Sequence, residues 1–371
     1  MGTGVRRTAQ MPRAAGELHA ALLFPRPIHN RTHPRPGPPT PRPTHAPPRT
    51  LTRVSTSIAS AFHIAVRGTL HEGPAARCGG CVAVTLADRP DGTVVRHGDT
   101  VAKAHAPDTD AAELRLRLAV AAHPALAGVL LPPLRDAATP LDGRLVTFWP
   151  HGTPVDPDHP ENAPWEAAAA LLARLHATPL RGLPPGLPPM RGPVKAARAL
   201  ARLRAAAPDH PAARPVGQAW RTLPPWARAE APYDHARALC HGDLHLGQLV
   251  RGRAGSGPWL LIDVDDLGLG DPAWDLARPA AWFACGLLPA DDWARFLAAY
   301  RSAGGAPQLS AADPWPALDV PARALTVQTA ALAVAKATEA GRPLDEVEVA
   351  VVDACDRMAG IPAQLGSAAA K

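Results

Sequence analysis

The sequence has no apolar run long enough to cross a membrane. Stretch 276–290 is broken by Arg278 and Pro279, whereas a membrane helix needs about 20 consecutive apolar residues. The short apolar run 20–24 is followed at once by proline, which is not typical of a signal peptide. These absences predict a cytoplasmic protein with no membrane partner.

Cysteine is also scarce, with five residues that are odd in number and widely scattered. That pattern favours a reducing compartment over a disulfide framework. Cys78 and Cys81 form a C-x-x-C sequence, but no second pair completes a zinc site. A glycine turn is therefore favoured there over a redox or zinc site.

Positive charge is concentrated at the amino end. Nine arginines and one acid give residues 1–60 a charge of +8, so the total of +6 leaves −2 for the remainder. The body of the protein is thus not typical of a nucleic-acid-binding domain. Residues 1–57 are rich in Pro and Arg and predict a disordered extension; the alternative is a basic arm that binds RNA or membranes.

Periodicity and turn signals predict a strand-rich region followed by a helical one. The predicted strands are 63–68, 81–87, 93–96, 100–105, 130–134 and 144–149, with a helix starting at Asp108–Asp110 between the fourth and fifth. The predicted later helices are 165–177, 194–207, 274–283, 292–302, 322–340 and 344–358. Residues 208–234 are Pro-rich and are expected to be irregular.

Two carboxylates stand out in the stretch 240–275. Asp243 follows His241-Gly242 in a predicted loop, and Asp263 follows the apolar run 260–262, which predicts a buried strand. Gly, Ser and Pro between them favour a hairpin that brings both carboxylates to one place. Phosphoryl transfer uses such a pair, because one carboxylate orients the acceptor hydroxyl while the other holds Mg²⁺.

Lys103 lies inside the predicted strand 100–105, although the chain contains only four lysines. A lysine on an apolar strand suits a site that needs a compact positive charge for a phosphate. Glu113 follows in the first turn of the next predicted helix and can reach back to pair with Lys103. Alternatively, Glu113 is an exposed acid that suits the helix dipole.

The chain resembles the aminoglycoside phosphotransferase family, the small-molecule relatives of the protein kinases. The matching motifs are 241–245 (HGDLH), Ile262-Asp263 and 268–277 (GLGDPAWDLA), with weaker support from 171–176 and 296–300. The resemblance implies an α+β, protein-kinase-like bilobal fold, with a small antiparallel-sheet N-lobe carrying one helix and a larger, mainly helical C-lobe. The expected domains are the extension 1–57, a nucleotide-binding N-lobe (58–150) and a C-lobe with the catalytic loop, metal site and acceptor site (151–365).

The resemblance also implies roles for residues of the C-lobe. Asp243 matches the catalytic aspartate that orients and deprotonates the acceptor hydroxyl, and Asp263 matches the aspartate that binds Mg²⁺. The family usually has Asn as the second metal ligand, whereas Gln248 stands here with the same amide oxygen on a longer side chain. The H-L-G-Q sequence around Gln248 resembles the maltokinase branch, which favours a sugar acceptor.

For the N-lobe, the resemblance implies an ATP site. Lys103 matches the strand lysine that binds the α- and β-phosphates, and Glu113 matches the helix glutamate that positions it. The hinge strand 145–150 is expected to contact adenine through its backbone, with Phe148 or Trp149 packed nearby. The implied cofactors are ATP and two Mg²⁺ ions.

The glycine-rich loop that covers the phosphates in relatives has no clear counterpart before Lys103. Gly68–Gly73 and Cys78–Cys81 are both candidates, and the sequence does not choose between them. Backbone N–H groups in either segment are able to cradle phosphates, as those of any glycine turn can.

Other polar residues of the motif are expected to serve the structure. Asp271 precedes Pro272 and predicts a helix N-cap, and Asp275 is expected to anchor the catalytic loop. His241 and His245 are expected to pack the loop and not to bind metal. Asp265 either touches a metal or plays no part in the site.

These inferences predict an ATP- and Mg²⁺-dependent phosphotransferase, a kinase that transfers the γ-phosphate to a hydroxyl of a small acceptor such as an aminoglycoside or sugar. No nucleic acid is expected as a partner. The alternative is a catalytically silent nucleotide-binding module of the same fold, which Gln248 and the unclear glycine loop favour. The sequence does not choose among aminoglycoside, sugar, choline-like and homoserine-like acceptors, nor does it set the oligomeric state.

Overall fold

The computed structural model describes residues 58–70, 83–89, 92–232, 238–252 and 255–360. Within them the chain forms two compact units, one of residues 58–109 and 138–151 and the other of residues 110–137 and 152–360. The predicted extension 1–57 and the C-x-x-C pair lie outside the described residues. No helix in the described ranges is both long and apolar enough to cross a membrane.

The first unit is an antiparallel five-stranded sheet with one helix on its face. The strand order is β1-β2-β3-β5-β4. The elements are α1 Ile58–Leu70, β1 Ala83–Arg89, β2 Gly92–His97, β3 Thr100–His105, β4 Thr139–Leu141 and β5 Arg144–Pro150. Phe62 and Val66 of α1 pack against Ala102 of β3 and Phe148 of β5, which forms the core of this unit.

The second unit is mainly helical. Its helices are α2 Ala111–Ala121, α3 Trp165–His176, α4 Gly192–Ala206, α5 Ala213–Thr222, α6 Pro272–Ala284, α7 Ala290–Ser302, α8 Pro307–Ser310, α9 Trp315–Glu339 and α10 Glu346–Ala359. Its short strands are β6 Thr153–Pro154, β7 Ala238–Cys240, β8 Leu249–Arg251, β9 Trp259–Leu261 and β10 Gly268–Gly270. Helix α9 is the centre, since α4 and α6 both pack along it, while α3 packs against α7.

Two predicted strands are wrong. Residues 63–68 belong to helix α1, because Phe62, Val66 and Leu70 recur every four residues and face the sheet together. Of the predicted strand 130–134, only Leu130 forms a bridge, to Leu261. The two prolines that follow lack the N–H groups that a strand ladder uses.

Two predictions about helices are also wrong. The region 208–234 contains helix α5, whose Val216, Ala219 and Trp220 face the core; the proline at its start is tolerated because first-turn N–H groups have no intrahelical partner. Helix α9 begins before the predicted 322 and contains Pro321 in its interior. Burial along α9 compensates for the backbone hydrogen bond that this proline cannot make.

Candidate active site

Two strand pairs bring the acidic loops together. Strand β7 pairs with β10, with Cys240 opposite Gly268, and β8 pairs with β9, with Leu249 opposite Leu261. The loop after β7 leads to β8, and the loop after β9 leads to β10, so both loops connect the same two strand pairs. The predicted hairpin is therefore confirmed, and Asp243 and Asp263 lie in adjacent loops.

The predicted catalytic loop, residues 241–248, is anchored by Asp275 of helix α6, as the sequence predicts. Its carboxylate accepts hydrogen bonds from the backbone N–H groups of His241 at 2.6 Å and Gly242 at 2.7 Å. Gly242 has a φ of +84°, and a Cβ there would lie 2.4 Å from the carbonyl oxygen of Asp266. Glycine is therefore required where this loop crosses the loop 262–267, which carries Asp263. Asp271 caps α6 by accepting from Ala273 N at 2.9 Å, which confirms that prediction too.

Asp275 also belongs to a buried network of polar side chains. His176 Nε2 lies 3.0 Å from Asp275 Oδ2, and His176 Nδ1 lies 2.8 Å from the hydroxyl of Tyr300. Burial raises the pKa of Tyr300, so its hydroxyl stays protonated. His176 and Tyr300 end the two segments that weakly support the family resemblance, but the sequence did not predict the hydrogen bond between them.

Asp243 is held between two cations. Arg278 Nη2 lies 2.7 Å from Oδ1, and Lys195 Nζ lies 2.6 Å from Oδ2. Arg278 also donates from Nε to the carbonyl oxygen of Leu244 at 2.9 Å, which fixes its guanidinium against the loop. Burial alone would raise the pKa of Asp243, but the attraction of Lys195 and Arg278 outweighs it and lowers the pKa. The carboxylate is thus charged and fixed at both oxygens.

Lys195 was missed by the sequence motif, because it lies 48 positions before Asp243 in helix α4. It donates a second hydrogen bond to Asp266 Oδ2 at 2.7 Å. Asp266 in turn lies 3.7 Å from Arg191 Nε, so cations and carboxylates alternate along this cluster. The only sequence signal was the scarcity of lysine.

The predicted metal ligands lie side by side. Gln248 Nε2 is 3.5 Å from Asp263 Oδ2, and the side-chain amide can turn to present its oxygen. Asp263 has a φ of +65°, and its Oδ1 accepts from the backbone N–H of Asp265 at 3.3 Å. A carboxylate and an amide oxygen are hard donors of the kind that Mg²⁺ prefers. The donor set therefore fits the expected ion.

The two histidines of the loop serve its conformation, as predicted. His241 Nε2 lies 2.8 Å from the carbonyl oxygen of Ile262, which joins the catalytic loop to the residue before Asp263. His245 caps the 3₁₀ turn that contains Gln248, since its Nδ1 accepts from Gly247 N at 3.1 Å. Burial lowers the pKa of His245 to about 4, although Asp243 opposes the shift. His245 is therefore neutral at physiological pH.

The predicted ATP-binding residues of the first unit occupy β3 and β5. Lys103 stands opposite Thr147, and Val101 stands opposite Trp149, so Lys103 and Trp149 share one face of the sheet. Phe148 points to the other face and is 1% exposed within the core of this unit. Of the two aromatic residues, Trp149 is therefore on the face that carries the lysine.

Glu113 is held within its own helix. Its carboxylate accepts from Arg117 Nη1 at 2.9 Å, and Arg117 Nε donates to the carbonyl oxygen of Leu267 at 2.9 Å. Helix α2 is thereby attached to the loop that carries Asp263. The Lys103–Glu113 pair stays a prediction. Of the candidate phosphate loops, Gly68 lies in helix α1, and the remaining glycines lie outside the described residues.

Comparison with known proteins identifies both a sequence family and a fold. Residues 82–317 match the family model described as the phosphotransferase enzyme family, APH. A choline/ethanolamine kinase family protein from Mesorhizobium loti is similar in structure, with 19% identity, 82% of this chain and 97% of that chain covered, and a TM-score of 0.51. The apo form of a thermostable mutant of aminoglycoside phosphotransferase APH(4)-Ia gives 15% identity, coverage of 76% and 95%, and a TM-score of 0.51.

At these identities the two structures show a common fold, and the expected protein-kinase-like α+β fold is confirmed. No match was found among curated proteins.

Proposed function

The chain belongs to the phosphotransferase enzyme family, and on that premise we propose that it transfers the γ-phosphate of ATP, with Mg²⁺, to a hydroxyl of a small acceptor. The observation that supports this most is the adjacency of two different carboxylate sites. Asp243 is fixed by cations at 2.6 and 2.7 Å, while Asp263 lies beside the amide of Gln248. One loop thus suits the acceptor hydroxyl and the other suits a cation.

In this proposal Asp243 orients the acceptor hydroxyl and receives its proton. Each carboxylate oxygen keeps a lone pair beyond the one that faces Lys195 or Arg278. The lowered pKa makes Asp243 a weak base, which suits a loose phosphoryl-transfer transition state in which the hydroxyl is positioned before its proton leaves. The rate enhancement then comes mainly from orientation and fixed charges.

Asp263 and Gln248 would hold Mg²⁺, and Asp265 is a further candidate where a second ion binds. When bound, the metal neutralises charge on the triphosphate. The chain's own contribution is the fixed loop: the backbone N–H of Asp265 donates to Asp263, which restricts the carboxylate. Gln248 differs from the more common Asn in length but not in donor type.

The nucleotide is proposed to bind through the N-lobe, residues 58–150, and the acceptor through the C-lobe, residues 151–365. Lys103 would contact the α- and β-phosphates, and Glu113 would support it by exchanging its present bond to Arg117. The hinge strand 145–150 would contact adenine through its backbone, with Trp149 as the adjoining side chain. The protein is proposed to act in the cytoplasm, without a nucleic-acid partner.

The acceptor is proposed to be a small hydroxylated molecule. The names of the two structural neighbours include choline, ethanolamine and aminoglycoside, and the H-L-G-Q loop favours a sugar. These compounds together with macrolides and homoserine form a reasonable first panel. A catalytically silent nucleotide-binding module remains the second candidate, favoured by Gln248 at the position where relatives usually carry Asn.

The test is ADP release from Mg·ATP across this panel, with Asp243→Asn and Asp353→Asn compared with the natural protein. Asp353 is exposed on helix α10, so its variant controls for the loss of one carboxylate. We expect one acceptor to stimulate turnover and Asp243→Asn to reduce kcat by about 10²–10⁴-fold with ATP binding retained. A kcat that is unchanged in Asp243→Asn would refute the proposed base. ATP binding without turnover by any acceptor would instead favour the silent module.

A further inference from the structure

Lys195 is a partly buried cation of the site for which the motif provides no role. Its side chain is 29% exposed, and it lies within 2.7 Å of two carboxylates, Asp243 and Asp266. Nothing in the catalytic or metal-binding motifs accounts for a lysine at this place. Its contacts therefore require an explanation of their own.

The segment 188–191, which leads into the helix that carries Lys195, is joined by backbone hydrogen bonds to strand β10 and to the loop 262–267. Leu269 N donates to Pro188 O at 2.9 Å, Met190 N donates to Leu269 O at 2.9 Å, and Arg191 N donates to Asp266 O at 3.1 Å. A Cβ at Gly268 would lie 2.4 Å from the carbonyl oxygen of Pro188. The absence of a side chain at Gly268 thus permits this close approach.

The start of helix α4 is fixed from a second direction. Gly192 is its first residue, and a Cβ there would lie 2.0 Å from Nε1 of Trp274. Trp274 belongs to α6, the helix that also carries Asp275 and Arg278. Lys195 comes one turn later, so its position is set by contacts to the segment 266–269 and to helix α6.

These contacts give Lys195 a defined place in a row of alternating charges. Arg278 binds Asp243 Oδ1, Lys195 binds Asp243 Oδ2 and Asp266 Oδ2, and Arg191 approaches Asp266 Oδ1. A carboxylate held at one oxygen can still rotate, whereas one held at both oxygens by separate cations cannot. Burial lowers the pKa of Lys195, but Asp243 and Asp266 outweigh it and raise the pKa, so the ammonium is charged.

We infer that Lys195 is a positioning residue for the catalytic base: its ammonium, anchored by Asp266, fixes Oδ2 of Asp243 while Arg278 fixes Oδ1. This inference rests on the proposed function, because Asp243 is a base only if the chain is a phosphotransferase. Lys195 acts through Asp243 and needs no contact with either substrate. Loss of its charge should therefore affect the chemical step and the proton affinity of Asp243, but not nucleotide binding.

The experiment compares Lys195→Met, Lys195→Arg and Asp266→Asn with the control Arg202→Met. Arg202 lies on the same helix and pairs with Glu339 on the protein surface, so its variant also removes a cation and an ion pair from α4. Three quantities are measured for each folded variant: kcat, KM for ATP and the titration of the Asp243 carboxyl carbon by ¹³C NMR. The Asp243→Asn variant assigns the resonance.

For Lys195→Met we expect a fall in kcat of about tenfold or more, an unchanged KM for ATP and an upward shift of the Asp243 titration by about one pH unit or more. Lys195→Arg should restore the titration, and Asp266→Asn should give a smaller loss of kcat because the ammonium loses only its second anchor. Arg202→Met should change none of the three. A Lys195→Met protein that is folded, with kcat and the Asp243 titration unchanged, would overturn the inference.

A loss of kcat in proportion to unfolded protein, with no shift of the titration, would also overturn it, since that result indicates a purely structural role. The NMR readout separates this proposal from the function on which it rests. If no acceptor supports turnover in the natural protein but Lys195→Met shifts the Asp243 titration, the function fails while the positioning contact stands.

Discussion

The carboxylate of Asp275 lies 3.0 Å from Nε2 of His176, and the two side chains are 0% and 1% exposed. Asp275 belongs to helix α6 and His176 to helix α3, and the two residues are 99 positions apart in the chain. The other hydrogen bonds of Asp275 support the backbone of the catalytic loop. The pair therefore links the packing of two helices to the position of Asp243.

Replacing Asp275 with Ala should destabilise the protein strongly. The change leaves two buried backbone N–H groups and the His176 ring without their acceptor, and breaking such a buried network costs about 3–5 kcal/mol. The free energy of unfolding, from urea denaturation, measures the effect. Asp353→Ala on the exposed face of α10 should cost less than about 0.5 kcal/mol, and equal effects for both variants would contradict the assigned role.

Replacing Gly192 with Ala should disturb the site from a distance. The added Cβ would lie 2.0 Å from the Trp274 ring, so α4 must shift or the ring must turn. Overpacking of this kind costs about 1–3 kcal/mol, and displacement of Lys195 should lower kcat as well.

The matched control for Gly192 is Gly217→Ala in helix α5. A Cβ there meets only the end of the Arg221 side chain, at 3.9 Å. In a helix interior, alanine is more favourable than glycine by about 1 kcal/mol. The Gly217→Ala variant should therefore be slightly stabilised. Thermal melting with kcat measured in parallel checks both variants, and a Gly192→Ala protein as stable and active as the natural one would contradict the close contact.

Stability should fall as the pH drops from about 6.5 to about 4, because of His245. Its folded-state pKa is lowered to about 4 from an ordinary value of 6.5, so over this range the unfolded chain binds the proton more readily. The unfolding free energy is therefore highest above pH 6.5 and decreases by roughly 3 kcal/mol towards pH 4. His245→Asn keeps an acceptor for the N-cap and removes the titration.

The His245→Asn variant should show a flatter profile between pH 6.5 and 4, measured by denaturant unfolding at a series of pH values. Below about pH 4 a second loss should appear in both proteins. The pKa of Asp243 is lowered by Lys195 and Arg278, so its ion pairs stabilise the fold above the ordinary aspartate range and are lost as acid protonates it. An identical slope in the two proteins between pH 4 and 6.5 would show that His245 is not the titrating group.

Replacing Gln248 with Ala should raise the Mg²⁺ concentration required for half-maximal rate by about tenfold. The amide oxygen is lost, while Asp263 keeps its own position. Gln248→Asn retains the donor type and should be affected less. Gln308→Ala, at an exposed position in α8, is the control, and a Mg²⁺ requirement unchanged in Gln248→Ala would remove Gln248 from the metal site.

The sequence predicts the local structure around the acidic loops well, because each of these residues sits beside a local signal. Asp243 and Asp263 follow short apolar strands, and Asp271 precedes a proline that starts a helix. Local patterns of that kind determine backbone conformation within a few residues, which is why the hairpin and the cap are confirmed.

Lys195 and Tyr300 could not be found in this way. Their roles depend on which helices pack together. The sequence of a helix indicates which face is buried but not which helix packs against that face. The wrong strand prediction at 63–68 has the same origin. The run AFHIAV contains β-branched residues and alternates as a strand does, but burial of Phe62 and Val66 against the sheet stabilises a helix there.

Backbone hydrogen bonds join segments 188–191 and 266–269, which are distant in the chain. The two segments should therefore unfold locally together. Because Met190 and Leu269 each donate into the opposite segment, neither can separate without releasing the other. Their amide hydrogens should accordingly exchange with solvent at a common rate, slower than those of the surrounding loops. A fluctuation that separates Lys195 from Asp243 also frees the loop that carries Asp263, so the ion pairs of the cluster are lost together and not one at a time.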